Sequence, residues 1–208
     1  MSATVRLGLL GGTFDPPHLG HLALARAARD QLALDELRWV PAGEPWQKAM
    51  RTLAAAADRL AMVHALVAGE PRMRVDDVEI RRAGPSYTVD TVLALKRERP
   101  DVELVLVVGQ DQYARLHTWH RWRELLATVT LAVAAREGAP PRAPAELHGV
   151  PHRMTAIDLP PVAVSSTAVR DAAARGDDLR AQVGPAVAAY IERHALYRVS
   201  PNPKPPRS

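Results

Sequence analysis

The chain has 208 residues, 47% hydrophobic and 24% charged, which suits one packed domain and excludes a wholly disordered chain. It contains no cysteine and no apolar run of the roughly 18 residues that a spanning helix needs, so disulfides, thiolate metal sites and an apolar membrane span are excluded. The net charge of +4 comes from 27 basic and 23 acidic residues spread without a basic block. The modest excess fits a phosphate-bearing small substrate as well as it fits nucleic acid, and the lack of a basic block counts against nucleic acid. The first residues form no basic-then-apolar leader, so a cytoplasmic protein with no membrane partner is expected. Oligomeric state is left open.

In chain order, Val5 to Leu10 reads as a buried strand closed by Gly11-Gly12. An Ala-rich amphipathic helix over Leu19 to Leu34 follows, then a strand at Leu37 to Val40 and a loop from Ala42 to Arg51. Leu53 to Ala68 predicts a helix, Met73 to Ile80 a strand, and Thr88 the cap of a helix reaching Arg99. Val102 to Val108 is the clearest strand. A helix at Trp119 to Ala127, a strand at Val129 to Ala134 and a surface loop at Gly138 to Pro151 come next. A last strand at His152 to Leu159 precedes helices at Thr167 to Arg175 and Gln182 to His194. The alternation predicts an α/β fold: a doubly wound, Rossmann-like parallel sheet with helices on both faces and a short helical C-terminal part. The expected domain covers 1–199, and the Pro-rich tail over 200–208 is expected to be disordered.

Ligands of such sheets bind outside the carboxyl ends of the strands. After the first strand stands Gly11-Gly12-Thr13-Phe14-Asp15-Pro16-Pro17-His18-Leu19-Gly20-His21. The glycines let backbone approach a ligand, and the next helix presents free N–H groups with His18 and His21 on one face. This suits a polyphosphate, though a capped helix start with surface histidines has the same pattern. A zinc site from the His-x-x-His pair, or from His117 and His120, lacks a third ligand. Ser165 and Ser166 precede a helix and can take phosphate oxygens with Arg170 one turn in, or serve as an ordinary cap. Asp111 can hold ribose hydroxyls or cap a helix, and Trp119 offers a flat face or core packing. Trp122 and Trp39 are expected in the core, and Asp58-Arg59 and Arg81-Arg82 on solvated faces. Lys48, one of only three lysines, can close over a triphosphate or remain a solvated loop residue.

The eleven-residue string resembles the Gly-Gly-Thr-Phe-Asp-Pro-x-His-x-Gly-His signature of the nucleotidyltransferase superfamily, and most of all the bacterial nicotinate-nucleotide adenylyltransferases. Val164-Ser165-Ser166-Thr167-Ala168-Val169-Arg170 is similar to the family's second signature, with valines at 164 and 169 in place of isoleucines. Gly109-Gln110-Asp111 resembles its Gly-x-Asp, and Ser86-Tyr87-Thr88 looks like the segment whose Thr meets the nicotinate carboxylate. The resemblance implies adenylyl transfer from ATP to nicotinate mononucleotide by direct in-line attack, with Mg²⁺ held mainly by the ATP phosphates and no protein metal site. It implies catalytic roles for His18, His21 and Arg170. It places Gly11, Gly12, Thr13, Phe14, Gly20, Gly109, Asp111, Ser165, Ser166, Thr167 and Lys48 at ATP. It places Tyr87, Thr88, Asp111, Trp119, Arg136 and Lys48 at the mononucleotide. The alternatives are nicotinamide mononucleotide or phosphopantetheine as acceptor, or a nucleotide-binding regulator without turnover.

Overall fold

The computed structural model describes residues 4–44, 53–134 and 140–198; the Pro-rich tail lies outside them. In chain order the elements are β1 (Arg6–Gly12), α1 (Leu19–Gln31), β2 (Glu36–Pro41), α2 (Ala56–Val67), β3 (Met73–Val75) and α3 (Val78–Arg81). Next come α4 (Thr88–Glu98), β4 (Glu103–Gly109), α5 (Gln110–Ala114), α6 (Trp122–Thr128) and β5 (Thr130–Ala134). The last are β6 (Arg153–Ile157), α7 (Ser166–Arg175), α8 (Arg180–Val183) and α9 (Pro185–Arg193). The strands form one sheet in the order β3-β2-β1-β4-β5-β6, with every neighbouring pair parallel. This is the expected doubly wound fold.

Side chains alternate across each strand, and β4 shows why its run is apolar throughout. Val105 and Val107 enter one core with Ala25 and Ala28 of α1, Met62 and Leu66 of α2, and Val187 and Ile191 of α9. Leu104, Leu106 and Val108 enter the other with Val92 and Leu95 of α4 and Leu125 of α6. The chain runs outward from β1 to β3, then returns to place β4 on the other side of β1. The two strands diverge in their connections there, and a crevice opens beyond their carboxyl ends.

Three expected elements differ. The strand read over Met73 to Ile80 stops at Val75, because Asp76 Oδ1 accepts the Val78 N–H at 3.1 Å and turns the chain into α3. The helix read over Gln182 to His194 is two helices, broken at Gly184 (φ 79) and restarted by Pro185 at the first helical position. The helix read from Trp119 starts only at Trp122, because Arg121 sits in the left-handed region at φ 49. A 3₁₀ turn at Leu116–Thr118 comes before it.

Candidate active site

A cavity of about 920 Å³ fills the crevice between β1 and β4, with Gly11, Gly12 and Gly109 on its floor. A Cβ at Gly11 or Gly109 would meet nothing within 4 Å, so both strand ends open onto free space. At Gly20 a Cβ would stand 3.1 Å from the His18 ring and from Val164, so glycine keeps that wall closed up.

His18 is the cap of α1, with extended backbone at φ −147 and ψ 170. Its N–H donates to His21 Nδ1 at 3.2 Å, and the two rings stack with centroids 3.7 Å apart. Phe14, itself at φ 50, meets His21 edge-on at 5.2 Å. Both histidines thus face the cavity from the first turn of α1, as their spacing requires. His18 is only 8% exposed, and its Nδ1 has no hydrogen-bond partner among the described residues. Burial pushes its pKa down to about 4. The ring is therefore neutral near pH 7, a hydrogen-bonding group and not a standing charge. Accepting the His18 N–H at Nδ1 leaves a neutral His21 with its proton on Nε2.

The second signature docks on the first. Ser165 caps α7 and its Oγ accepts the Ala168 N–H at 3.2 Å, while Ser166 Oγ donates to the Pro16 carbonyl at 2.9 Å. Arg170 Nη1 donates to the Asp15 carbonyl at 2.6 Å and Nη2 to Thr167 Oγ1 at 2.9 Å. Ser165 and Ser166 line the cavity; Thr167 and Arg170 stand just behind that wall. Thr13 and Phe14 line it from the β1 side.

On the β4 side the cavity meets Tyr87, Thr88, Asp111 and Trp119. Tyr87, not Thr88, is the cap of α4, and its ring stacks on His120 at 4.3 Å. Asp111 is exposed in the first turn of α5, and Trp119 is half-buried against the second core. Trp39 is fully buried, as read. Trp122 is half-buried and packs against the second core, with the Arg123 guanidinium 4.2 Å from its ring. Lys48 and Arg136 lie outside the described residues. No group of three or more His, Asp or Glu side chains among the described residues is placed to hold a metal ion.

The sequence reading placed Arg59 on a solvated face, and the structure corrects this. Arg59 is 2% exposed and donates to four carbonyls: Thr13 (2.8 Å), Ala42 (2.7 Å), Gly43 (2.9 Å) and Ala54 (3.1 Å). It ties the loop after β1 to the loop after β2. The signal was present: Arg59, Met62, Val63 and Leu66 follow the i, i+3, i+4, i+7 spacing of a buried stripe. Neighbouring Asp58 is half-buried and accepts the Tyr190 hydroxyl at 2.9 Å. Arg82 donates to the Thr91 hydroxyl at 3.2 Å, whereas Arg81 is exposed as read. Glu79, also unforeseen, lines the cavity while accepting the Thr91 hydroxyl at 2.8 Å, and burial raises its pKa.

The cytidylyltransferase-like family model matches residues 9–172, which hold both signatures and all of β1 to β6 except the first residues of β1. A probable nicotinate-nucleotide adenylyltransferase of Methylibium petroleiphilum is 52% identical over 196 residues, 92% of each chain. The chain belongs to the nicotinate-nucleotide adenylyltransferase family. A Bordetella petrii relative of the same description is 48% identical over 93% of this chain and 99% of its own. The fold is shared more widely. A Plasmodium falciparum nicotinic acid mononucleotide adenylyltransferase complexed with NaAD superposes with a TM-score of 0.78 at 16% identity, over 93% of this chain and 97% of that one. Among the described residues, no helix is long and apolar enough to cross a membrane.

Proposed function

We propose that this protein transfers the adenylyl group of ATP to nicotinate mononucleotide, giving deamido-NAD and pyrophosphate. One observation carries the reading: two signatures some 150 residues apart, joined by the Ser166–Pro16 bond, form one wall of a cavity whose opposite wall is Tyr87, Thr88 and Trp119. Family membership supports it, since the relatives bear that activity in their names.

In this reading the triphosphate lies across the first turns of α1 and α7, where free N–H groups meet its charge. His18 and His21 donate to phosphate oxygens. Arg170 exchanges the Asp15 carbonyl for phosphate, a stronger, charge-assisted acceptor. Asp111 takes ribose hydroxyls. Trp119 and Tyr87 flank the pyridine ring, and the Thr88 hydroxyl or nearby N–H groups face its carboxylate. Lys48 and Arg136 are assigned to phosphate by resemblance. An oxygen of the mononucleotide phosphate attacks the α-phosphorus of ATP directly. The bond to the α,β-bridging oxygen breaks and pyrophosphate departs, with no covalent enzyme intermediate. The chain's part is positioning and electrostatics. Mg²⁺ would enter bound to the ATP phosphates and neutralise charge there, as suits a cavity lined by few carboxylates.

The test is pyrophosphate release from ATP and Mg²⁺ with nicotinate mononucleotide, nicotinamide mononucleotide, phosphopantetheine or no acceptor. Release chiefly with nicotinate mononucleotide is expected. Release chiefly with another acceptor overturns the roles of Thr88 and Trp119. Silence in all four from folded, ATP-binding protein overturns the reaction.

A further inference from the structure

Beyond α9 the chain folds back beneath the first signature, a contact the reaction above does not use. Ala195 and Tyr197 both take left-handed backbone, at φ 50 and 64, a conformation that side-chain-bearing residues keep only when their contacts hold it. The Tyr197 hydroxyl donates to Asp15 Oδ1 at 2.8 Å, and the same oxygen accepts the Ala54 N–H at 3.2 Å. Asp15 is 2% exposed, precedes His18 by three residues, and gives its carbonyl to Arg170. Burial and the adjoining carboxylate raise the Tyr197 pKa far above its ordinary value, so the phenol stays a donor.

We infer that Tyr197 is a positioning residue of the phosphate site: its bond to Asp15 fixes the turn that carries His18 and His21 and sets the carbonyl from which Arg170 reaches the triphosphate. The inference rests on the functional reading above.

The same C-terminal part supplies its own control. Tyr190 of α9 makes a similar bond, hydroxyl to Asp58 Oδ1 at 2.9 Å, but Asp58 lies on α2, whereas Asp15 lies within the first signature and its carbonyl accepts from Arg170. If Tyr197 served stability alone, the two bonds would be interchangeable.

The experiment compares Tyr197→Phe with Tyr190→Phe in the full chain, measuring Tm, ATP affinity by calorimetry, and kcat and KM for both substrates. Tyr197→Phe is expected to weaken ATP binding or lower kcat by about tenfold, the scale of one hydrogen bond to a charged group. The KM for the mononucleotide should stay unchanged. Tyr190→Phe is expected to lower Tm with kcat and KM intact. Equal losses of Tm with unchanged ATP affinity and turnover in both variants overturn the inference, as does equal kinetic damage in both. If wild-type protein binds ATP without transferring it, the functional reading fails alone, and ATP affinity still decides the role of Tyr197. Wild-type protein that binds no ATP overturns both.

Discussion

Acidification should weaken the fold through His18. Its pKa of about 4 in the folded protein lies below the ordinary 6.5 that an unfolded histidine keeps. Above pH 6.5 the ring is neutral in both states and the linkage costs nothing. Between 6.5 and 4 the unfolded chain takes a proton that the folded one refuses, so each unit of pH favours unfolding by about 1.4 kcal/mol. Summed over that window, His18 alone removes about 3 kcal/mol, a large share of a typical domain's stability. Replacing His18 with asparagine, which can still cap α1, abolishes the titration. Urea unfolding of both proteins at pH 7, 6, 5 and 4 checks this. The stability of wild type relative to His18→Asn should fall steadily across the series, and parallel curves would refute the argument. An NMR titration of the His18 ring gives the same answer directly: a midpoint above 6 in the free protein contradicts the burial seen here.

Other substitutions test the remaining parts of the site. Arg59→Leu strips four half-buried carbonyls of their donor and Asp15 of a nearby cation, and should cost about 3–5 kcal/mol by urea unfolding. Arg59→Lys should recover only part, because an ammonium cannot span the fork; a loss under about 1 kcal/mol for the leucine variant would show the clamp to be idle. His21→Ala should lower kcat by about 10²–10³ while the protein stays folded, and near-full turnover would remove it from the catalytic set. At Gly43 a Cβ would stand 2.3 Å from the Glu79 carbonyl oxygen, so Gly43→Ala must shift backbone and should cost about 1–3 kcal/mol. An unchanged Tm would mean that α3 yields freely.

Much of the fold was legible because parallel strands buried on both faces leave uninterrupted apolar runs, of which Leu104 to Val108 is the plainest. The misread elements share a cause: local chemistry overrode periodicity. Apolar residues 73, 75, 78 and 80 look strand-like as a set, but the carboxylate of Asp76 bonds its own backbone two residues on and ends the strand. Gly184-Pro185 carried a stop and a start in plain view, and the apolar spacing on either side masked them. The signature residues could be placed because each follows a strand, where the fold gathers them without further information. Arg59 and Tyr197 could not be placed in that way. The helical stripe signals that Arg59 is buried, but no local pattern encodes its bond to Thr13, 46 residues away, or that of Tyr197 to Asp15, 182 residues away.

In the proposed reading, the structure also changes the expected source of attraction for a triphosphate. Composition suggested arginine-borne charge, yet among the described residues Arg115 is the one arginine lining the cavity, and His18 is neutral. Much of the cavity wall is apolar, and its polar groups are chiefly glycine backbone, the first turns of α1, α4 and α7, hydroxyls and the His18 ring. In the proposed reaction, groups already held in place would need little reorganisation as charge moves toward the leaving pyrophosphate. Arg170, bonded to the Asp15 carbonyl, stands outside the cavity lining and is the further cation assigned to the triphosphate in the proposed reading. A phosphate anion beside His18 then favours the charged ring that burial alone disfavours. If the triphosphate binds as proposed, its charge raises the His18 pKa from about 4, and an NMR titration of that ring with and without ATP should show the midpoint move up.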